Sequence, residues 1–211
     1  MTDVPVVHAV TNDEILLRPG FLRRAKGVMK ALGARGAVHL RSSLLPSPTL
    51  YALTRELLEL SAETLCWCVV GDRVDIALAS GAHAVQLNSK SIPVPDVQRI
   101  APALRIGASV HSAIEAWDAE AAGADWCVAG HVFETQTHPG IPRRESHFIS
   151  QIAGEVTFPV IAIGGVLPQH VRSLLLGGAY GVAAIRGIWE AENSELAASR
   201  YLSEYDGNGI S

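Results

Sequence analysis

The segment Gly130-His131-Val132-Phe133-Glu134-Thr135-Gln136-Thr137-His138-Pro139-Gly140 concentrates groups that can move a proton or hold a cation. His131, Glu134 and His138 do not follow the H-E-x-x-H spacing that sets two metal ligands on one helical face, and the segment reads as a loop. Acid–base work suits it better than metal binding, because an imidazole titrates at about pH 6.5 and needs little tuning to act at neutrality. His131 is therefore the expected catalytic acid/base, with His138 the next candidate. The plain alternative is a histidine bonded to a neighbouring loop carbonyl.

Two glycine-bearing segments follow apolar runs near the end of the chain, Ile163-Gly164-Gly165-Val166 and Ile185-Arg186-Gly187-Ile188. Without Cβ atoms, Gly164, Gly165 and Gly187 let backbone N–H groups approach phosphate oxygens, and Arg186 stands beside them. Paired glycines also make tight turns without binding anything; loop position and the arginine favour phosphate. Farther upstream, His39, Arg41 and Ser43 share one face of an extended segment by period two. If that face is interior, Arg41 is a charge that meets either an anion or a neighbouring carboxylate. His8, His83, His147 and His170 lack comparable context and read as surface or satisfied core histidines.

Positioning these groups requires a regular scaffold, and short apolar, β-branched runs supply one. Strands are expected at 6–10, 37–41, 66–70, 84–87, 105–109, 126–129, 160–163 and 181–185. Helical patterns lie between them. Phe21, Leu22, Ala25, Val28, Met29 and Leu32 repeat with helical spacing, and Ser47-Pro48 reads as an N-cap followed by a first-turn proline. Ser112 with Glu115 reads as a capping box ahead of an Ile114, Trp117 and Ala121 stripe. Pro168 opens a helix carrying Val171, Leu174 and Leu175. Strand and helix alternate throughout, which implies a parallel sheet, and eight units favour a single (β/α)8 TIM barrel. An open doubly wound sheet would show a glycine fingerprint after its first strand, where this chain has Thr11-Asn12-Asp13-Glu14. The barrel is expected over residues 1–205, with 206–211 a disordered tail.

The 211 residues suit one such domain, and the formal charge of −4 gives no electrostatic footprint for nucleic acid. The N-terminus shows no signal peptide, and no apolar tract is long enough for a bilayer. Cys66, Cys68 and Cys127 form neither a redox nor a zinc pattern and read as buried free thiols. A cytoplasmic protein is expected, with a homodimer left open.

At this point the chain resembles the thiamine phosphate synthase superfamily. The resemblance rests on His8-Ala9-Val10-Thr11-Asn12, Val38-His39-Leu40-Arg41, Gly71-Asp72-Arg73-Val74-Asp75-Ile76-Ala77, Gly107-Ala108-Ser109-Val110-His111, Ala162-Ile163-Gly164-Gly165-Val166 and Gly181-Val182-Ala183, in that order. Gly130-His131-Val132-Phe133-Glu134-Thr135 is similar to the thiazole tautomerase (TenI-like) branch, where histidine replaces the synthase's proline. The synthase pattern has glutamine, arginine and lysine where this chain has His39, Arg41 and Ser43, an aspartate at Ser91 and a lysine at His138. Asp72 alone remains of its magnesium carboxylates.

The resemblance implies an isomerase of thiamine biosynthesis that moves a proton on a carboxylated thiazole phosphate, with aromatisation as the drive. It implies His131 as acid/base, Gly164, Gly165, Arg186 and Gly187 at the phosphate, and Arg41 at the carboxylate. It also implies Ser109 and Thr135 as substrate contacts, with His39, Asp72 and His138 less certain. No metal or organic cofactor is required, and the expected partner is a small phosphorylated thiazole. The alternatives are the synthase reaction, coupling a pyrimidine pyrophosphate to the thiazole phosphate, and a non-catalytic thiazole-phosphate-binding regulator.

Overall fold

In the computed structural model, which describes residues 3–133 and 145–207, eight parallel strands close into one barrel in chain order. They are β1 (Val7–Val10), β2 (Gly36–Leu40), β3 (Trp67–Gly71), β4 (Ala84–Leu87), β5 (Arg105–Val110), β6 (Trp126–Gly130), β7 (Val160–Ile163) and β8 (Gly181–Ala184). Each end lies within one residue of the range expected from the sequence. The pattern is legible because strands covered on both sides become almost unbroken apolar runs.

The outer layer contains α1 (Asp13–Leu17), α2 (Phe21–Leu32), α3 (Ser47–Thr64), α4 (Val74–Ser80), α5 (Val94–Ile100), α6 (Ala113–Ala121), α7 (Glu145–Glu155), α8 (Val171–Leu176), α9 (Arg186–Trp189) and α10 (Ser194–Asp206). On α2 the expected stripe is buried at Phe21, Ala25, Val28, Met29 and Leu32, with Leu22 partly buried. Four local expectations change. Pro46 caps α3, so Ser47 is the first helical residue and Pro48 the second. On α6, Ser112 accepts the Glu115 N–H as expected, but the Glu115 carboxylate takes the N–H of His111 instead of closing the box on Ser112. The inward residue there is Ala116, while Ile114 and Trp117 are exposed. An aromatic within a helical repeat suggests burial, yet small alanines bring this helix close to the barrel. At the other end α10 runs through Asp206, whose carboxylate accepts from Arg35, so the helix enters the segment expected as a tail.

Period two along each strand divides the side chains between two cores. Val7, Ala9, Val38, Leu40, Val70 and Ala162 face the helices, whereas Val10, Ala37, Val69, Ala84, Trp126, Val128, Ile161 and Ala183 fill the barrel. Its N-terminal end is closed by Val4, Trp67, Trp126 and Tyr180, and the Tyr180 hydroxyl donates to the Val4 carbonyl at 2.9 Å. Gly107 makes this packing possible. A Cβ there would fall 2.3 Å from both the Trp126 ring and Gln86 Oε1. The three cysteines are buried free thiols.

Candidate active site

Above the closed end, the barrel interior turns polar. Trp126 Nε1 donates to Gln86 Oε1 at 3.1 Å, which orients the amide so that its Nε2 donates to Ser109 Oγ at 3.2 Å. Ser109 therefore offers its own hydrogen to whatever lies above it. Across the interior, His8 and His39 are buried and joined through ring nitrogens 2.8 Å apart. Burial drives the His8 pKa down to about 4; burial and then the His8 ring hold His39 well below the ordinary imidazole range. Both rings are neutral at neutral pH.

At the C-terminal rim, Thr11 ties β1 to β2: its hydroxyl donates to the His39 carbonyl at 2.9 Å and accepts the Arg41 N–H at 3.1 Å. Arg41 sits exposed at the rim on the same face as His39. Ser43 lies beyond it, held with Ser42 and Leu44 by the Asp13 carboxylate. Burial raises the Asp13 pKa, but the hydrogen bonds from Ser42, Ser43 and Leu44 outweigh it and leave the carboxyl below its usual range. Sequence patterns alone do not single out Asp13 and Thr11. The Thr-Asn-Asp run after β1, with Asn12 capping α1 through the Ile15 N–H, is the available signal.

Asp72 follows β3, and both of its carboxylate oxygens are engaged. Asn88 Nδ2 donates to Oδ2 at 2.6 Å, and the Ser91 hydroxyl donates to Oδ1. The donor roles are fixed by the neighbours. Asn88 Oδ1 accepts the Lys90 N–H at 2.7 Å, so its NH2 side faces Asp72, while Ser91 Oγ accepts the Asn88 N–H at 2.9 Å. A cleft of about 230 Å³ beside these residues is lined by Asn88, Ser91, Ile92, Ser109, Glu115 and Asp118. It lies on the β4–β5 side of the mouth, away from Gly164 and Gly165.

On the opposite side, the chain after β6 runs against the turn after β7. Val132 N–H donates to the Ile163 carbonyl and Phe133 N–H to the Gly164 carbonyl, each at 2.9 Å, and the Phe133 ring lies 4.1 Å from that of His170. This brings half-buried His131 against Gly164, where a Cβ would fall 2.5 Å from His131 Cβ. Gly164 and Gly165 both have positive φ, +104° and +65°. Gly187 has a packing reason of its own. A Cβ there would meet the Tyr201 hydroxyl at 2.2 Å, and that hydroxyl donates to the Val166 carbonyl. Arg186 opens α9 beside Gly187. Thus His131, Gly164, Gly165, Arg186 and Gly187 gather on the β6–β8 side, and His39, Arg41, Asp72 and Ser109 around β2–β5. Thr135 and His138 lie outside the described residues.

The model of the TMP-TENI family, described as thiamine monophosphate synthase, matches residues 7–188. The chain belongs to that family. It is accordingly a member of an enzyme family of thiamine biosynthesis. A thiamine-phosphate synthase from Pyrococcus horikoshii is 37% identical over 165 residues, covering 78% of this chain and 80% of that protein. One from Methanoculleus marisnigri is 32% identical over 178 residues, covering 83% and 84%. Among solved structures, a thiamine phosphate pyrophosphorylase from Pyrococcus furiosus superposes with a TM-score of 0.84 at 30% identity, covering 97% of each chain. These relatives carry the name of the transferase, the alternative raised from the sequence, rather than that of the TenI-like isomerase. Among the described residues, no helix is long and apolar enough to cross a membrane.

Proposed function

We propose that this family member is an isomerase that tautomerises a carboxylated thiazole phosphate to its aromatic form. The observation that carries this reading is the state of Asp72. Two-metal or metal-pyrophosphate chemistry needs oxygen donors turned toward a cation, supplied for magnesium by carboxylates together with substrate phosphates. Here the Asn88 NH2 and the Ser91 hydroxyl turn hydrogens toward the Asp72 carboxylate. Each oxygen keeps a lone pair, but with Ser91 in the place of the synthase aspartate the loop after β4 gives Asp72 two neutral donors where a magnesium site would have a second carboxylate. Ser43, at a synthase lysine position, is likewise bound to Asp13.

A tautomerisation that ends in an aromatic ring asks less of the protein: a held phosphate, a fixed ring and a group that takes or gives a proton. His131 beside Gly164 places an imidazole next to the turn proposed to bind the phosphate through Gly164, Gly165, Arg186 and Gly187. Arg41 would pair with the substrate carboxylate, and Ser109 would donate to the ring. The names of the relatives favour the second reading, thiamine phosphate synthesis. The deciding experiment gives the purified protein each substrate set separately. The isomerase reading expects ring formation from the unaromatised thiazole phosphate, followed by ultraviolet absorbance, and negligible coupling with the pyrimidine pyrophosphate at any magnesium concentration. Robust coupling without ring formation would establish the synthase instead, and ligand binding with no turnover would leave a regulator.

A further inference from the structure

Two histidines of the barrel interior form a chain whose proton positions are set at its far end. His8 Nε2 lies 2.8 Å from the Pro5 carbonyl, which only accepts, so that nitrogen carries a hydrogen. His8 Nδ1 is then bare, and His39 Nε2, 2.8 Å away, donates to it. His39 is thereby left with an unprotonated Nδ1. The bond to His8 is on the other ring nitrogen, and His39 stands buried on the interior face of β2, one residue from its C-terminal end. Val4, Trp67, Trp126 and Tyr180 close the barrel below, and Arg41 follows His39 on the same face toward the C-terminal mouth. Thr11 fixes the backbone on both sides of it through the His39 carbonyl and the Arg41 N–H.

The position of His39 relative to His131 is the second observation. His39 belongs to β2 and His131 follows β6, four strands away in a closed barrel of eight, so the two residues start from opposite sides of the barrel. A flat ring held between these sides presents one face or edge to each.

We propose that His39 is a second proton-transfer residue of the site, its Nδ1 taking the ring-carbon proton while His131 delivers a proton to the exocyclic carbon. This rests on the isomerase reading above. The balance closes within the substrate. Nδ1 binds the departing hydrogen, and the C–H electron pair becomes a ring double bond. The displaced double-bond electrons shift through the ring, and the former exocyclic double bond supplies the pair that takes a proton from the His131 imidazolium. Solvent then removes the proton from His39 and restores one to His131, so substrate and product are isomers and nothing is oxidised. Behind His39, the Nε2–H bond to His8 and the His8 bond to Pro5 orient the base and support its transient charge, as a third group does behind other catalytic histidines. Being neutral, His39 needs no prior deprotonation, and aromatisation offsets its weak basicity.

The test uses the thiazole phosphate tautomer deuterated at the ring carbon, in ordinary water, with product deuterium read by mass spectrometry. Two separate groups predict that wild-type protein carries no deuterium to the exocyclic carbon. In His39→Gln, turnover should fall by roughly 10²–10⁴-fold with KM little changed, the usual contribution of acid–base catalysis, and residual product should carry deuterium passed by His131 alone. Circular dichroism checks that the variant folds; if it does not, His39→Asn takes its place. Deuterium retention by the wild type, or full turnover in a folded variant, overturns the role of His39. Absence of any wild-type ring formation is seen in the absorbance assay first, and removes the isomerase reading together with this proposal.

Discussion

Gly164 lies directly beneath His131: a Cβ at 164 would stand 2.5 Å from His131 Cβ and 2.6 Å from its Cα. The glycine therefore serves both a left-handed turn and the placement of a proposed catalytic side chain. Gly164→Ala should lower turnover by at least tenfold through displacement of His131, beyond the roughly 1–3 kcal/mol that a strained positive φ costs in stability. Gly81→Ala is the control, because Gly81 also has positive φ, +79°, but a methyl group there would meet nothing within 4 Å. That variant should lose stability and keep its turnover. Equal losses of activity in the two would show that Gly164 acts only through the fold.

The buried histidine pair predicts acid sensitivity. The His8 pKa is about 4 in the folded chain, against 6.5 for an ordinary imidazole, so between those values the unfolded chain binds the extra proton. Stability should therefore be full above about pH 6.5 and decline as pH falls toward 4, with His8 alone accounting for about 3 kcal/mol. His39 moves in the same direction and adds to the loss. Urea unfolding at pH 7, 6 and 5 measures this, and a pH-independent free energy would contradict the neutral pair.

The eight strands are legible in the sequence because apolar runs between turn signals need no tertiary information. The polar interior is harder to see. His8 reads only as a surface or satisfied core histidine, and nothing in the local pattern marks Gln86 or Trp126 as polar partners. Each stands on an interior face by period two, but the hydrogen bonds of His8 to His39, Gln86 to Ser109 and Trp126 to Gln86 join segments far apart in sequence. Trp117 misleads for the opposite reason, since helical spacing cannot tell an exposed aromatic from a buried one. Ser91 is recognisable as a departure from the synthase pattern, but its hydrogen bond to Asp72 depends on the meeting of two loops.

That meeting makes Ser91→Asp informative. A second carboxylate beside Asp72 would repel it in the absence of metal, lowering stability, and the pair would together make a site for a divalent cation. The variant should melt below the wild type without metal and gain several degrees with millimolar magnesium or manganese, because a ligand that binds only the folded state stabilises it. Wild-type melting should be unmoved by either ion. A comparable magnesium-dependent rise in the wild type would show that Asp72 holds a cation without a second carboxylate, and would strengthen the synthase reading.

The remaining prediction concerns His131 itself. Its backbone is held between β6 and β7 by the Val132 and Phe133 hydrogen bonds, so a substitution of its side chain should leave the loop path intact. His131→Asn keeps a polar group of similar reach and removes the titratable proton. With His131 as the acid that protonates the exocyclic carbon, turnover should fall by roughly 10²–10⁴-fold, while the affinity for thiazole phosphate measured by calorimetry stays nearly constant. The phosphate donors proposed at Gly164 and Gly165 are backbone groups and survive the change. Loss of binding in step with loss of turnover would instead assign His131 to ligand positioning. Wild-type turnover in a folded His131→Asn protein would falsify the acid–base role and shift attention to His138.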